Sequence, residues 1–361
     1  MPRSTPEGDA PERGRRGRAG TRPVMDDVAR RAGVSKQTVS RVLNEYPAVR
    51  AETRERVLEA VRALGYRPGP GARPPAGGRN RMLGVISFDA VRYGPASILD
   101  AINGAARDAG HLVSSIVLDT AGPGTVVEAV QRLTAEGADG VIAIAPQRWV
   151  GRAIADAGLR TPLVMLDNDL GDGTPLVTTD AGEGARRATE HLLALGHATV
   201  QHIAGPEGWI ASDHRLDGWR AALGAAGATV PAPLFGDWSA VSGYELGRRL
   251  AARPDVTAVF ASNDQMALGV LRALYEAGRR VPEDVSVIGY DDIPEAAFVL
   301  PPLTTVRTDF ARIGRQCLRL LLARLDGGRE RYVRSAVPAE LIVRTSSGRA
   351  PRPGRRSAFH G

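Results

Sequence analysis

Lys36, Gln37, Ser40 and Arg41 fall on one side of a helical wheel, with Asn44 one turn further on. Val39, Val42 and Leu43 point the other way. A cationic and amide face of this kind matches the edges of DNA bases: arginine bridges guanine O6 and N7, glutamine bridges adenine N6 and N7, and serine or threonine reaches bases or phosphates. A second set is scattered in sequence but shares a context. Asp167 follows the apolar run PLVML, Asn263 follows TAVFAS, and Asp291 follows VSVIGY. In open α/β sheets, ligands lie beyond the carboxyl ends of the strands. Arg215 stands in the helix-length stretch after TVQHIAG, and Trp238 in a loop. Carboxylates, an amide and a guanidinium bridge vicinal hydroxyls, while an indole packs on the C–H face of a sugar ring. Singly, Asn263 or Asp291 reads equally well as a helix cap; the set points to a polyhydroxylated ligand.

Other chemistries leave no trace. There is no G-x-S-x-G elbow, Walker motif, G-x-G-x-x-G fingerprint or His/Cys metal spacing. His191, His197, His202 and His214 lie close in sequence, yet no carboxylate spacing supports zinc. Cys317 is the only cysteine and sits in the apolar run CLRLLLARL, a packing position. Trp219 reads as core, and Asp264 and Asp292 are not read as catalytic. No catalytic residue, metal or cofactor is expected.

The elements that must position these groups follow from the rest of the 361 residues. Residues 1–23 are Pro/Gly/Arg-rich and too poor in apolar side chains to offset ordering entropy, which predicts a disordered basic arm. The formal charge is +7, concentrated at the two ends, and a basic end suggests a polyanionic partner. The only lysine is Lys36, so the arginine count reflects a coding bias as much as a nucleic-acid surface. Residues 24–67 form a small helical domain. Met25, Val28, Ala29 and Ala32 share a face, Gly33-Val34 makes a turn, and Ser35 caps a second helix. Glu52 to Leu64 supplies a third. Two short helices joined through a glycine turn are a helix-turn-helix.

Residues 68–81 are a Pro/Gly-rich linker. From residue 82 to 346, short β-branched runs alternate with amphipathic helices, the pattern of βαβ units and parallel sheets. Seven such runs exceed one ordinary sheet, which predicts two lobes. Several helices end in glycine, including Gly110, Gly196 and Gly278. No run approaches the roughly 18 apolar residues of a membrane span, and the N-terminus has no secretory apolar core, which places the chain in the cytoplasm. Residues 347–361 read as a disordered tail without leucine heptads, so no C-terminal coiled coil is expected.

The segment DVARRAGVSKQTVSRVLN is very similar to the signature of the LacI/GalR family of bacterial repressors. GDWSAVSGY, SNDQMALG, VIGYDD and LPPLTTVRTDF extend the resemblance to about Ser346, closer to the family's lactose branch than to its purine-binding members. The resemblance implies an all-α DNA-binding domain followed by a bilobed α/β effector domain of the periplasmic-binding-protein type, its lobes joined by three crossovers. It puts Lys36, Gln37 and Arg41 on base edges, Ser35, Thr38, Ser40 and Asn44 at phosphates, and Tyr66 and Arg73 at the end of the DNA-binding region. It assigns Asp167, Arg215, Trp238, Asn263 and Asp291 to the effector pocket, with Phe88, Pro95, Ile98 and Phe310 as its apolar wall. The partners implied are an inverted-repeat operator, a sugar or glycoside effector and a second copy of the chain.

Two departures from the family stand out. Val24 replaces the usual threonine cap, a loss of about 1 kcal/mol. The linker carries Gly69, Pro70, Pro74 and Pro75 where the family forms a hinge helix with a wedging leucine; prolines at 74 and 75 leave room for at most one turn, Pro70 to Arg73. Of the rival readings, the helix-turn-helix and the lack of a secretory apolar core argue against a sugar-transport or sensory protein, the missing motifs argue against an enzyme, and a co-repressed regulator or activator of the same family stays open.

Overall fold

The computed structural model describes residues 23–43, 46, 49–66, 81–118, 122–170, 174–327 and 334–351. The basic arm, most of the Pro-rich linker with Arg73, Asn44 and the end of the tail lie outside the described residues. Two compact units fall within Met1–Gly78 and Arg79–Gly361.

The first unit holds α1 (Met25–Ala32), α2 (Lys36–Leu43) and α3 (Ala51–Leu64). Gly33 ends α1 at φ 65, a left-handed conformation that a side chain would strain. Ser35 Oγ accepts from the Thr38 amide at 3.1 Å and starts α2. Val28, Val39, Val42 and Val57 are buried between the three helices. Tyr66 joins them at 8% exposure, as part of this core. Val24 offers no cap, but the Asp27 carboxylate accepts from the Val24 amide at 3.0 Å. That bond restores half of a capping box and offsets part of the expected loss.

The second unit has two lobes, each built on a six-stranded sheet. In the first lobe the chain runs β1 (Met82–Phe88), α4 (Tyr93–Asp108), β2 (Leu112–Leu118), α5 (Pro123–Ala135), β3 (Gly140–Ile144), α6 (Arg148–Asp156), β4 (Leu163–Leu166) and β5 (Leu176–Thr179). The second lobe continues with α7 (Ala181–Ala194), β6 (Gln201–Ala204), α8 (Ile210–Ala225), β7 (Leu234–Phe235), α9 (Ala240–Ala251), β8 (Ala258–Ala261), α10 (Asp264–Glu276), β9 (Ser286–Asp291) and β10 (Thr304–Thr308). The chain then returns through α11 (Phe310–Leu325) and β11 (Arg334–Val337) to the first sheet, and ends in the second with β12 (Ala339–Ile342). The sheet orders are β11-β5-β4-β3-β1-β2 and β12-β10-β9-β8-β6-β7. Every pairing is parallel except β10 with β12. The chain therefore passes between lobes three times, at Asp180, Asp309 and Pro338.

β5, β7, β10, β11 and β12 were not among the expected runs. They are two to five residues long and lack an uninterrupted apolar stretch. The lobe also extends past Ser346. His197 Nε2 lies 3.1 Å from the Gly348 carbonyl, the Gly348 amide donates to Ser286 Oγ at 3.0 Å, and the Ala350 amide donates to the Leu195 carbonyl at 2.9 Å. Residues 347–350, expected in the disordered tail, are thus fastened to the body by hydrogen bonds to residues far away in sequence.

His197 and His202 are buried and hydrogen-bonded within the second lobe. His202 is buried between Trp219 and Phe260, with ring centroids 5.2 and 4.8 Å away. Burial pushes its pKa down to about 3, so the ring stays neutral and Nδ1 donates to the Phe260 carbonyl at 2.9 Å. No group of histidine, cysteine and carboxylate suits a metal among the described residues. Trp219 is fully buried and donates to the Val200 carbonyl at 3.0 Å, the core role read from its sequence.

Helices α9 and α10 meet backbone to backbone. A Cβ on Gly269 would stand 2.1 Å from the Ala240 carbonyl oxygen. Gly224, near the end of α8, has nothing within 4 Å. Gly269→Ala is expected to destabilise the second unit by about 1–3 kcal/mol, whereas Gly224→Ala is expected to stabilise it by about 0.5–1 kcal/mol through lost unfolded-state freedom. Thermal unfolding of the two variants checks the opposite signs.

Candidate functional site: an effector cleft and a DNA-reading helix

The cleft between the lobes is a cavity of about 240 Å³. β4 delivers Asp167, β8 leads to Asn263, and β9 ends in Asp291. All three line the cavity, with Arg215 and Trp238. The strand ends thus bring the polar set around one cavity. Pro95, Ile98 and Phe310 form an apolar wall with Tyr93, whose ring meets that of Phe310 edge-on at 5.8 Å. Phe88 is not in the wall. It is buried in the first lobe's core against Trp149 because β1 turns its side chain away from the cleft.

Arg215 is the centre of the polar end. Its side chain is 9% exposed and bonds Asp291 Oδ1 at 3.2 Å. A second nitrogen donates to the Ser262 carbonyl. The guanidinium carbon lies 3.6 Å from the Tyr290 ring centroid, a cation–π contact. Arg215 Nε and Trp238 Nε1 are buried donors without a hydrogen-bond partner in the protein. Burial raises Asp291 to about 6 even though Arg215 opposes the shift. Asp167 is also raised by burial, and Thr179 holds it through the amide at 2.6 Å and the hydroxyl at 3.0 Å. Asn263 caps the helix, as one of its readings has it, and stands in the cavity lining. Its Oδ1 caps α10 by accepting from the Met266 amide at 3.0 Å, and its Nδ2 donates to the Trp238 carbonyl and to Gln265 Oε1. It positions the tryptophan and the glutamine from the cleft wall.

Three of these side chains stand on strained backbone: Asp167 at φ 59, Trp238 at φ 71 and Asp291 at φ 105. Such positive values cost free energy outside glycine and gather at functional sites. The strain at Asp291 is supported from behind. Asp264 accepts from Thr305 Oγ1 at 2.6 Å and from the Ile293 amide at 2.9 Å, and burial raises its pKa to about 8. Asp292 is held by Arg307 and Arg344, each at 2.7 Å. Gly205 leaves room for Trp238, because a Cβ there would lie 2.2 Å from the indole.

Sequence reasoning missed Tyr93, Trp209 and Gln265, which all line the cleft. Trp209 crosses Trp238 at 5.9 Å. Trp209 stands five residues past the end of β6, at the start of α8, so the strand-end rule that finds Asp167 does not reach it. The lobes also touch across the cleft mouth. Arg148 pairs with Asp213 at 2.8 Å, and the Ile210 amide donates to the Pro146 carbonyl at 2.8 Å.

In the helical unit, Ser35, Lys36, Gln37 and Arg41 are exposed, and Thr38 and Ser40 are half-buried, on the outer side of α2. Tyr66 is the exception among the described residues assigned to DNA, since its ring packs inward.

Comparison with known proteins agrees with both regions. Residues 24–69 match the family described as bacterial regulatory proteins, lacI family, and residues 189–347 match the periplasmic binding protein-like domain. The lactose operon repressor of Escherichia coli is 35% identical over 90% of this chain and 91% of its own length. CelR of Thermobifida fusca, an HTH-type transcriptional regulator, is 36% identical over 90% of this chain and 98% of its own. The chain belongs to the LacI family. It is a DNA-binding transcriptional regulator, as these relatives are, and not an enzyme. A solved lac repressor dimer bound to operator and the anti-inducer ONPF superposes with a TM-score of 0.81 at 34% identity, covering 91% of this chain and all of that one. A CelR–cellobiose complex superposes at 0.68, covering 90% of this chain.

The buried pair yields a test with a pH signature. Arg215→Met leaves the Asp291 carboxylate without its counter-charge, a loss of about 3–5 kcal/mol when the acid is ionised. Protonation relieves that loss. The stability gap between Arg215→Met and the wild type is therefore expected to widen as pH rises through about 6, and adding Asp291→Asn is expected to close most of it. Urea unfolding at pH 5 and pH 8 checks this.

Proposed function

We propose that this LacI-family chain is a cytoplasmic, homodimeric repressor that binds an inverted-repeat operator and is released by a sugar or glycoside held in the cleft. The observation that carries the effector reading is the polar end of the cavity. Arg215 Nε and Trp238 Nε1 are buried donors left unpaired beside the carboxylates of Asp167 and Asp291. Buried polar groups are rarely left unmet, and a ring bearing adjacent hydroxyls supplies acceptors and donors at that spacing. Trp238, Trp209 and Phe310 offer flat faces to its C–H side. Thr308 lines the same cavity at a position where the family resemblance implies a longer glutamine, so the effector need not match that of the lactose branch. The solved relatives with cellobiose and with ONPF support this class of ligand.

On the DNA side, Lys36, Gln37 and Arg41 meet base edges, and Ser35, Thr38 and Ser40 sit at phosphates, with Asn44 beyond them. One such helix contacts too few bases for strong specificity, so two copies bind half-sites about 10–10.5 bp apart. Among the described residues no helix is long and apolar enough to cross a membrane. Release follows from linkage: a ligand that binds one arrangement of the lobes more tightly shifts the population toward it, by no more than its differential affinity.

The test uses the full chain and a duplex recovered by it from a randomised pool. Fluorescence anisotropy against a panel of sugars and glycosides is expected to find at least one that weakens DNA binding, and Asp291→Asn is expected to abolish that response while leaving DNA affinity intact. Loss of DNA affinity in Asp291→Asn with unchanged sugar response contradicts the assignment. Arg41→Ala is expected to lose about 1–3 kcal/mol and to relax preference at one base pair of each half-site; an equal loss on random DNA makes Arg41 a phosphate contact.

A further inference from the structure

Lys36 is the only lysine in a chain whose every other strong base is arginine. It opens the recognition helix, and it is not free. Its Nζ stands 2.6 Å from Asp26 Oδ2 on the first turn of α1, with both side chains about half exposed. An acid is thus paired to the lysine on the surface that meets a polyanion. We propose that Asp26 is a specificity-determining residue: it holds the Lys36 ammonium away from phosphates, so that Lys36 contributes to binding where base edges reward it and little elsewhere. The proposal rests on the reading of Lys36 as a DNA-facing residue.

The chemistry of lysine makes such a restraint useful. An ammonium on a four-carbon stem is a point charge without directional preference and is satisfied by any phosphate oxygen. Phosphate contacts raise affinity for every sequence alike and carry no base information. A carboxylate within ion-pair distance neutralises that general attraction. It also limits the rotamers of the stem, and it leaves ammonium hydrogens for an acceptor such as guanine O6 or N7. Discrimination gained by penalising the wrong contact is a common route to specificity. Arg30 and Arg31, in the last turn of α1, have no comparable partner across to α2: Arg30 is paired within α1 to Asp27 at 3.3 Å. The restraint therefore falls on the residue that begins the reading helix.

The experiment is a double-mutant cycle on the full-length chain, measured by fluorescence anisotropy with two duplexes: the one selected from a random pool and a scramble of it. Asp26→Asn is expected to tighten binding to the scramble about two- to five-fold, the range of an exposed ion pair, and to tighten the selected duplex less, so that their ratio falls. The slope of log affinity against log salt on the scramble is expected to steepen by about one per protomer as Lys36 gains a phosphate. In a Lys36→Met background, Asp26→Asn is expected to leave the ratio unchanged. Asp26→Ser, with a thermal melt of each variant, repeats the test with a second neutral side chain. An unchanged ratio in Asp26→Asn, or the same change with and without Lys36, overturns the proposal. If Lys36→Met alters binding to neither duplex, the DNA-facing reading of Lys36 fails, and the proposal with it.

Discussion

A guanidinium with 9% of its side chain exposed must be met by the protein around it, and Arg215 sets that demand for the whole effector domain. Taking such a charge from water costs several kcal/mol unless an opposite charge and further hydrogen bonds replace the solvent. Asp291, the Ser262 carbonyl and the face of Tyr290 supply most of the replacement. Each comes from the end of a strand in the second lobe, so the carboxyl edge of that sheet has to be built where it is. Asp291 meets the arginine from a backbone at φ 105, and Asp264 and Asp292 are hydrogen-bonded behind it. The pairing is still incomplete. Arg215 Nε remains unmet, and the Asp291 carboxyl titrates near 6. A ligand that completes the set gains from groups already desolvated and held in place.

That incomplete site lies between bodies that can respond to it. Asp167 and Thr179 come from the first lobe, Arg215 and Asp291 from the second, and only three chain passages join the two. Those passages sit together, with the Asp180 amide donating to the Val337 carbonyl at 3.1 Å. Short connections gathered at one place are the usual form of a hinge. Arg148 to Asp213 and Ile210 to Pro146 join the two lobes across the mouth. A regulator needs two arrangements and a ligand that prefers one of them. In the proposed function the cleft would supply that preference and the three passages the hinge.

Much of this was legible in the residues. The polar face of α2, the glycine turn at Gly33 and the strand-end positions of Asp167, Asn263 and Asp291 each follow from periodicity or turn chemistry, which are local rules. What was missed depends on long-range geometry. Phe88 alternates away from the cleft by one residue of strand register. Asn263 reads as a cap or as a ligand contact from sequence, and only the position of Trp238 shows that it serves both walls. Trp209 follows β6 and Trp238 follows β7, and only the pairing of those two strands brings the indoles together. The pairing of Asp26 with Lys36 crosses two helices, and no spacing rule on a single helix contains it. Residues 347–350 are held by hydrogen bonds to His197, Ser286 and Leu195, partners that no local pattern brings together.

The central claim is that the cleft and the DNA-reading helix are energetically linked, and linkage is reciprocal. The most direct measurement is the affinity of a releasing glycoside, read from tryptophan fluorescence, with and without a saturating selected duplex. The account predicts that DNA weakens glycoside binding by the same factor by which the glycoside weakens DNA binding. A glycoside affinity that is identical in the two conditions would contradict it.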